Sequence, residues 1–263
     1  MNAMDLMNSS FNKISDINTA SKQKYQDILQ SVLEKAKQKG LAAEASLQMN
    51  SGLSVTVRMG AVDTVEFTRS KGLSLTVYKG KRKGSVSTTD ISPEALETSL
   101  EAACRIAEYT EEDPAAGLAD KENLATTIPD LDLYHPWEVP PEQAIEYATS
   151  AENVARKMDP RITNSDGSTF SAHKGFGIYG NTLGFMAGYP STRYALYCSV
   201  IAEQASNMQR DYDFTLARDK ADLISFTKVG ESAASRVVKR LNARKIKTTS
   251  APIIFSAEIA RCL

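Results

Sequence analysis

Residues 52–89 read GLSVTVRMGAVDTVEFTRSKGLSLTVYKGKRKGSVSTT. Apolar and polar residues alternate through this stretch. Leu53, Val55 and Val57 alternate with Ser54, Thr56 and Arg58, Val65 and Phe67 with Glu66 and Thr68, and Leu73, Leu75 and Val77 with Ser74 and Thr76. Successive side chains of a strand point to opposite faces, so a period of two marks strands with one buried and one wet face. Turn signals fall near Asn50-Ser51-Gly52, Met59-Gly60, Lys71-Gly72 and Lys79-Gly80. Short strands joined by short turns pair with their sequence neighbours, and the spacing predicts an antiparallel meander.

Outward from the meander the period changes. Upstream, Tyr25, Ile28, Leu29, Val32, Leu33 and Ala36 recur at three- and four-residue spacing before Gly40, which predicts an amphipathic helix over 21–39 with a glycine stop. Downstream, Ser92, Pro93 and Glu94 supply an N-cap, an N1 proline and an acidic first turn, and Leu96, Leu100, Cys104 and Ala107 continue as one apolar face. Residues 21–109 are thus expected to form an α+β domain, an antiparallel sheet covered by two helices, and residues 1–20 a flexible tail. Residues 110–141 are acidic, rich in proline and without periodicity, and are read as a linker. From 142 onward a second domain is expected. It comprises a helix over 141–158 ended by Asp159-Pro160, and strands over 162–173, 175–185, 189–203 and 208–217 forming a second sheet. A helix over 219–242, a strand over 252–255 and a helix begun at Ser256 follow. A helix of less than about two turns does not hold without packing, so the second domain is expected to be incomplete at Leu263.

Composition narrows the function classes. Hydrophobic residues make up 42% of the 263, enough for packed cores, so disorder of the whole chain is excluded. Lys and Arg total 31 against 32 Asp and Glu, so no net field draws the chain to nucleic acid or anionic membranes. The 3 cysteines, Cys104, Cys198 and Cys262, are too few and too scattered for a disulfide framework and are read as reduced thiols. The first residues carry Asp5 and Asp16 and no apolar signal core, and glycines break the uncharged run 175–192, which suits a hairpin better than a membrane helix. The expected compartment is the cytosol, with no membrane contact.

Candidate chemistry is sparse. A catalytic zinc needs three protein ligands, and the 2 histidines, His135 and His173, lie far apart without a helical His pair. His135, in Tyr134-His135-Pro136-Trp137, reads as part of an aromatic plug. Cys198 falls within an alternating strand and reads as a structural thiol. The basic run Lys79-Gly80-Lys81-Arg82-Lys83-Gly84 lies between strands, with no helix N-terminus behind it, and reads as a solvated hairpin tip. The loop Asn164-Ser165-Asp166-Gly167-Ser168-Thr169 is expected to be a tight turn, with His173 on the strand leaving it, and Arg210 and Tyr212 share one face of a later strand. Asp166, His173, Arg210 and Tyr212 are therefore the candidates for a substrate groove or partner surface, with no catalytic, cofactor or metal residue assigned.

The segments 72–114, DLDLYHPW (130–137), DPRITNSDGS (159–168), CSVIAE (198–203), MQRDYDFTLARD (208–219) and ARKIKTTSAPIIFS (243–256) closely resemble the TldD/PmbA family, historically labelled modulators of DNA gyrase, on its PmbA (TldE) side. The resemblance implies a bacterial cytosolic metallopeptidase assembled from TldD-type and PmbA-type subunits and acting on unfolded or extended peptides. It implies zinc in the TldD-type partner, held in part by a His-Glu-x-x-x-His helix, and none in this chain. A homodimer, a stand-alone metallopeptidase with ligands beyond Leu263, and a regulator of DNA gyrase are the competing expectations. No catalytic or metal residue of the family falls on a position of this chain.

Overall fold

The computed structural model describes residues 19–205, 207–260 and 262; the expected tail lies outside these except for its last two positions. Helix α1 (Thr19–Gln38) leads into β1 (Ala42–Arg58), β2 (Ala61–Lys79) and β3 (Arg82–Thr88), followed by α2 (Pro93–Tyr109). After an irregular segment come α3 (Pro141–Met158), β4 (Ile162–Asn181), β5 (Met186–Gln204), β6 (Asn207–Ala217), α4 (Phe226–Arg240) and the short α5 (Ala257–Ala260). The α+β class and the three principal helices of the reading stand, including the cap of α2 by the Ser92 side chain on the Ala95 N–H.

The strands differ from expectation in one consistent way: they are longer and fewer. β1 and β2 run unbroken through the expected turns at 50–52 and 71–72. Gly52 is inside a strand because the His173 ring of β4 lies over it, and a Cβ there would stand 2.0 Å from His173 Nδ1. True turns occur at Met59-Gly60, where both residues have positive φ (53° and 81°), and at Gly80 (φ 63°), as two-residue hairpins demand. Likewise 162–173 and 175–185 belong mainly to one strand, β4. The loop expected at 164–169 is a bulge within it, with register shifts at Ile162/Asn164 and Ser165/Gly167.

Among the described residues there is no separate second sheet. All six strands form one antiparallel sheet in the order β3-β2-β1-β4-β5-β6, joined where β1 pairs with β4 from Glu44↔Asn181 to Val57↔Ser168. The segment 252–255, expected as a strand, pairs with no described strand, and a lone segment has no ladder to satisfy its backbone. The expected helix over 219–242 is a 3-10 turn (Lys220–Asp222) followed by α4.

One face of the sheet carries both cores. Ala43, Ala45 and Leu47 of β1 pack with α1, α2 and β2 residues such as Leu75 and Val77, whereas Leu53, Val55 and Val57 pack with α3, α4 and Phe170, Leu196 and Val200. All six β1 residues have odd numbers and so point to the same side, and β4 contributes Phe176 and Ile178 to the first core and Phe170 to the second. The two halves are further tied by Glu152 of α3, wholly buried, whose two oxygens accept the N–H groups of Met59 and Gly60 at 2.8 Å in the β1–β2 turn.

Candidate functional site on the uncovered face of the sheet

Because the described helices crowd one side, no described helix covers the other face of the sheet, the bare face. Its central rows carry small and polar side chains: Ser46, Gln48, Asn50, Ser54 and Thr56 from β1 face the same way as Thr169, Ser171, His173 and Gly175 from β4. Hydroxyls pair across strands, Thr56 with Thr169 at 2.9 Å, Ser74 with Ser87 at 3.0 Å and Thr76 with Ser85 at 2.9 Å. The Asn50 amide lies across Gly175 as the His173 ring lies across Gly52, so the middle of the face is flat. Beside it, where β3 stops, a shallow trough of about 670 Å³ is lined by Gln48, Asn50, Ser70, Gly72, Ser87 and Thr88. At one end Glu44 is held by the Tyr78 and Tyr179 hydroxyls, which donate at 2.7 and 2.8 Å. Burial and this carboxylate raise the Tyr78 pKa.

Three of the four candidates meet at the opposite end. Asp166, turned outward by the bulge, accepts from Arg210 Nη1 at 2.8 Å and from Ser199 Oγ at 3.2 Å. Tyr212 stacks on the neighbouring Tyr197 with centroids 5.0 Å apart, and Phe214 extends the row. Arg210 and Tyr212 share a face as expected. His173 does not join them: it stands six residues beyond Gly167 along β4, roughly 20 Å at strand rise. Its pKa is lowered, first by burial and then by Arg193 opposite it. Ser199 and Tyr197 were not among the candidates, since only the β4–β5 and β5–β6 registers bring them beside Asp166 and Tyr212.

The residues available for a metal ion do not converge. His135 Nε2 and Nδ1 face Asp132 at 3.2 Å and Asp219 at 3.3 Å, so the two carboxylates address opposite sides of the ring. His173 is on the bare face, whereas Trp137, beside His135, packs on Tyr147, Phe170 and Tyr194 in the aromatic plug. Burial, reinforced by Glu152 and Asp213, pushes the Cys198 thiol up to about 12, so in this setting it is a neutral thiol near pH 7. Among the described residues no three His, Cys, Asp or Glu side chains are placed to hold an ion. The described donors do not fit zinc. The basic hairpin is also engaged: Lys79 pairs with Glu108 and Arg82 with Glu112, while Lys81 donates to the Ala116 carbonyl. No described helix is long and apolar enough to cross a membrane.

Comparison with known proteins agrees with this geometry at the level of family. Residues 43–107 match the model for PmbA/TldA metallopeptidase domain 1, and residues 134–241 that for the PmbA/TldA metallopeptidase central domain. Metalloprotease PmbA of Escherichia coli O157:H7 is 46% identical over 235 residues, covering 89% of this chain and 52% of that protein. A Metalloprotease PmbA homolog of Haemophilus influenzae is 40% identical over 241 residues, 92% of this chain and 53% of its own length. A crystal structure described as a putative modulator of DNA gyrase from Bacteroides thetaiotaomicron superposes with a TM-score of 0.78 at 27% identity, covering 88% of this chain and 52% of that one. The chain spans about half the length of the curated relatives it matches.

Proposed function

The chain belongs to the PmbA/TldD metallopeptidase family, and on that premise we propose that it is the non-catalytic, PmbA-type part of a two-component cytosolic peptidase. The zinc that gives the family its chemistry would reside in a TldD-type partner, where it would polarise the scissile carbonyl and activate water. This chain contributes surface. Its bare face is flat, lined by hydroxyls and amides and flanked by tyrosines, which suits an extended polypeptide better than a folded one. What supports the reading is the donor set: among the described residues no three His, Cys, Asp or Glu side chains converge, with His135 between Asp132 and Asp219, His173 on the other face of the sheet and Cys198 buried.

The test is partner dependence. The intact protein alone should cleave no unfolded peptide, and addition of a TldD-type subunit should bring chelator-sensitive cleavage. Stoichiometric zinc and peptidase activity in the intact protein without a partner would overturn the assignment. The gyrase-regulator reading gains little from the fold, because two of the hairpin cations, Lys79 and Arg82, are paired with Glu108 and Glu112.

A further inference from the structure

The described elements fall into two runs of the same kind. α1-β1-β2-β3-α2 (19–109) and α3-β4-β5-β6-α4 (141–240) are each a helix, three antiparallel strands and a helix. The strand order β3-β2-β1-β4-β5-β6 reads the same outward from its centre, where the first strand of one run pairs antiparallel with the first strand of the other. β2 and β5 run for 19 residues each, and serines, Ser92 and Ser225, occupy the N-cap positions of α2 and α4. The helices of both runs pack on one face of the sheet.

The match extends to single residues. A pseudo-two-fold axis through the opposed pair Ser51 and Lys174 carries Leu47 onto Phe170, Leu53 onto Phe176 and Val55 onto Ile178. All of these side chains are buried, and equivalent ones lie in opposite cores, as a two-fold demands: Leu47 shares a core with Phe176 and Ile178, and Phe170 shares the other with Leu53 and Val55. The second strands follow the same axis. Leu73 and Leu75 stand opposite Leu47 and Ala45, as Leu196 and Cys198 stand opposite Phe170 and Ser168, and these second-strand residues are buried too. On the bare face the axis exchanges Gly52 with Gly175 and Asn50 with His173. The His173 ring covers Gly52 and the Asn50 amide covers Gly175, so each run lays a planar side chain over a glycine of the other. A likeness of topology alone would not reproduce facing, core membership and glycine contact together.

We propose that the chain is a fused dimer: residues 19–109 and 141–240 are two versions of one αβββα unit, and the edge of the unit's first strand is a docking surface that takes the same edge of a second unit. The inference goes beyond the peptidase-subunit reading and does not depend on it. The joint is isologous, one surface meeting its own equivalent, so a single pairing closes it. In the antiparallel ladder each unit gives and receives equivalent backbone hydrogen bonds. Each unit also completes the other's core, Leu53 and Val55 reaching one way and Phe176 and Ile178 the other. Ser51 and Lys174, buried polar residues at the axis, mark where one core stops and the next begins.

The test exchanges equivalent residues in the whole chain, Asn50→His with His173→Asn. An imidazole displaces the resonances of protons lying beneath its ring. In wild-type protein carrying isotope-labelled glycine, the Gly52 Hα signals should therefore be displaced and those of Gly175 not. In the exchange variant the displacement should leave Gly52 and appear at Gly175, because the two-fold sets the new ring over that glycine. A folded variant with no displacement at Gly175 overturns the inference. Should the variant not fold, a circular permutant running 127–263 and then 1–126 decides. It breaks the chain within the exposed stretch 125–130 and reverses the order of the units. Under the two-fold, α4 stands to α1 as α2 stands to α3, and residues 241–263 with 1–18 outnumber the residues 110–140 that bridge the latter pair. The permutant should keep the wild-type mass in solution, the wild-type circular dichroism and a single cooperative urea transition. Aggregation or loss of that transition overturns the fused-dimer reading and leaves the subunit assignment untouched.

Discussion

Glu152 shows how one side chain can join two stretches of chain. Its carboxylate is fully buried and both oxygens are engaged by N–H groups of the β1–β2 turn. Charge-assisted hydrogen bonds to a buried group are each worth about 1.5–3 kcal/mol, and removing the acceptor also strands two donors. Glu152→Ala is therefore expected to lower stability by about 3 kcal/mol, read as a shift of the urea midpoint. Cys198, its thiol held up to about 12 by burial, should resist alkylation in the native protein near pH 8 and react once the chain is unfolded. His173 gives a pH signature. Its folded pKa is below the ordinary 6.5, so the unfolded chain takes up the proton first as pH falls. Its effect on stability is thus absent well above that value and increasingly unfavourable as pH drops through it. His173→Gln should flatten the loss of urea stability between about pH 7.5 and about pH 5.5.

At the scale of elements, the limits of α1, α2 and α3 were legible, and those of α4 and of the strands were not. Capping and proline placement are local, and Ser92-Pro93 and Asp159-Pro160 bound α2 and α3 in the structure as they do in the reading. Strand continuity is not local. Gly52 and Gly167 look like turns in isolation, but one accommodates a ring from the neighbouring strand and the other serves a bulge that aims Asp166 outward. The same closeness governs the α3–α4 contact. A Cβ at Gly230 would stand 2.2 Å from the Ala151 carbonyl oxygen, so Gly230→Ala gains about 1 kcal/mol of helix propensity but must push two backbones apart. A net loss of about 1–3 kcal/mol is expected by thermal denaturation. The Asp166–Arg210 pair, by contrast, is a surface ion pair with Arg210 63% exposed, and Arg210→Ala should change stability by less than about 1 kcal/mol.

At the scale of the molecule, the two segments read as separate domains share a sheet and a long strand. β1 supplies both cores, and the first core includes Phe176 and Ile178 from beyond the linker. Expressed alone, residues 19–110 would lose those side chains and expose the β1 edge that β4 covers. That fragment should self-associate and bind a hydrophobic dye, and co-expression with residues 134–241 should suppress both. The sequence by itself determined the α+β class, the helices and their caps, the alternation that marks strands and the family, because each of these rests on neighbours in the chain or on an ordered series of short matches. Only the tertiary structure decided that the described strands form one sheet with the described helices on a single side, and that Asp166, Ser199 and Arg210 meet while His173 stands apart. Strand register is fixed by pairing between residues more than a hundred positions apart, as with Val57 and Ser168, and no local pattern encodes it.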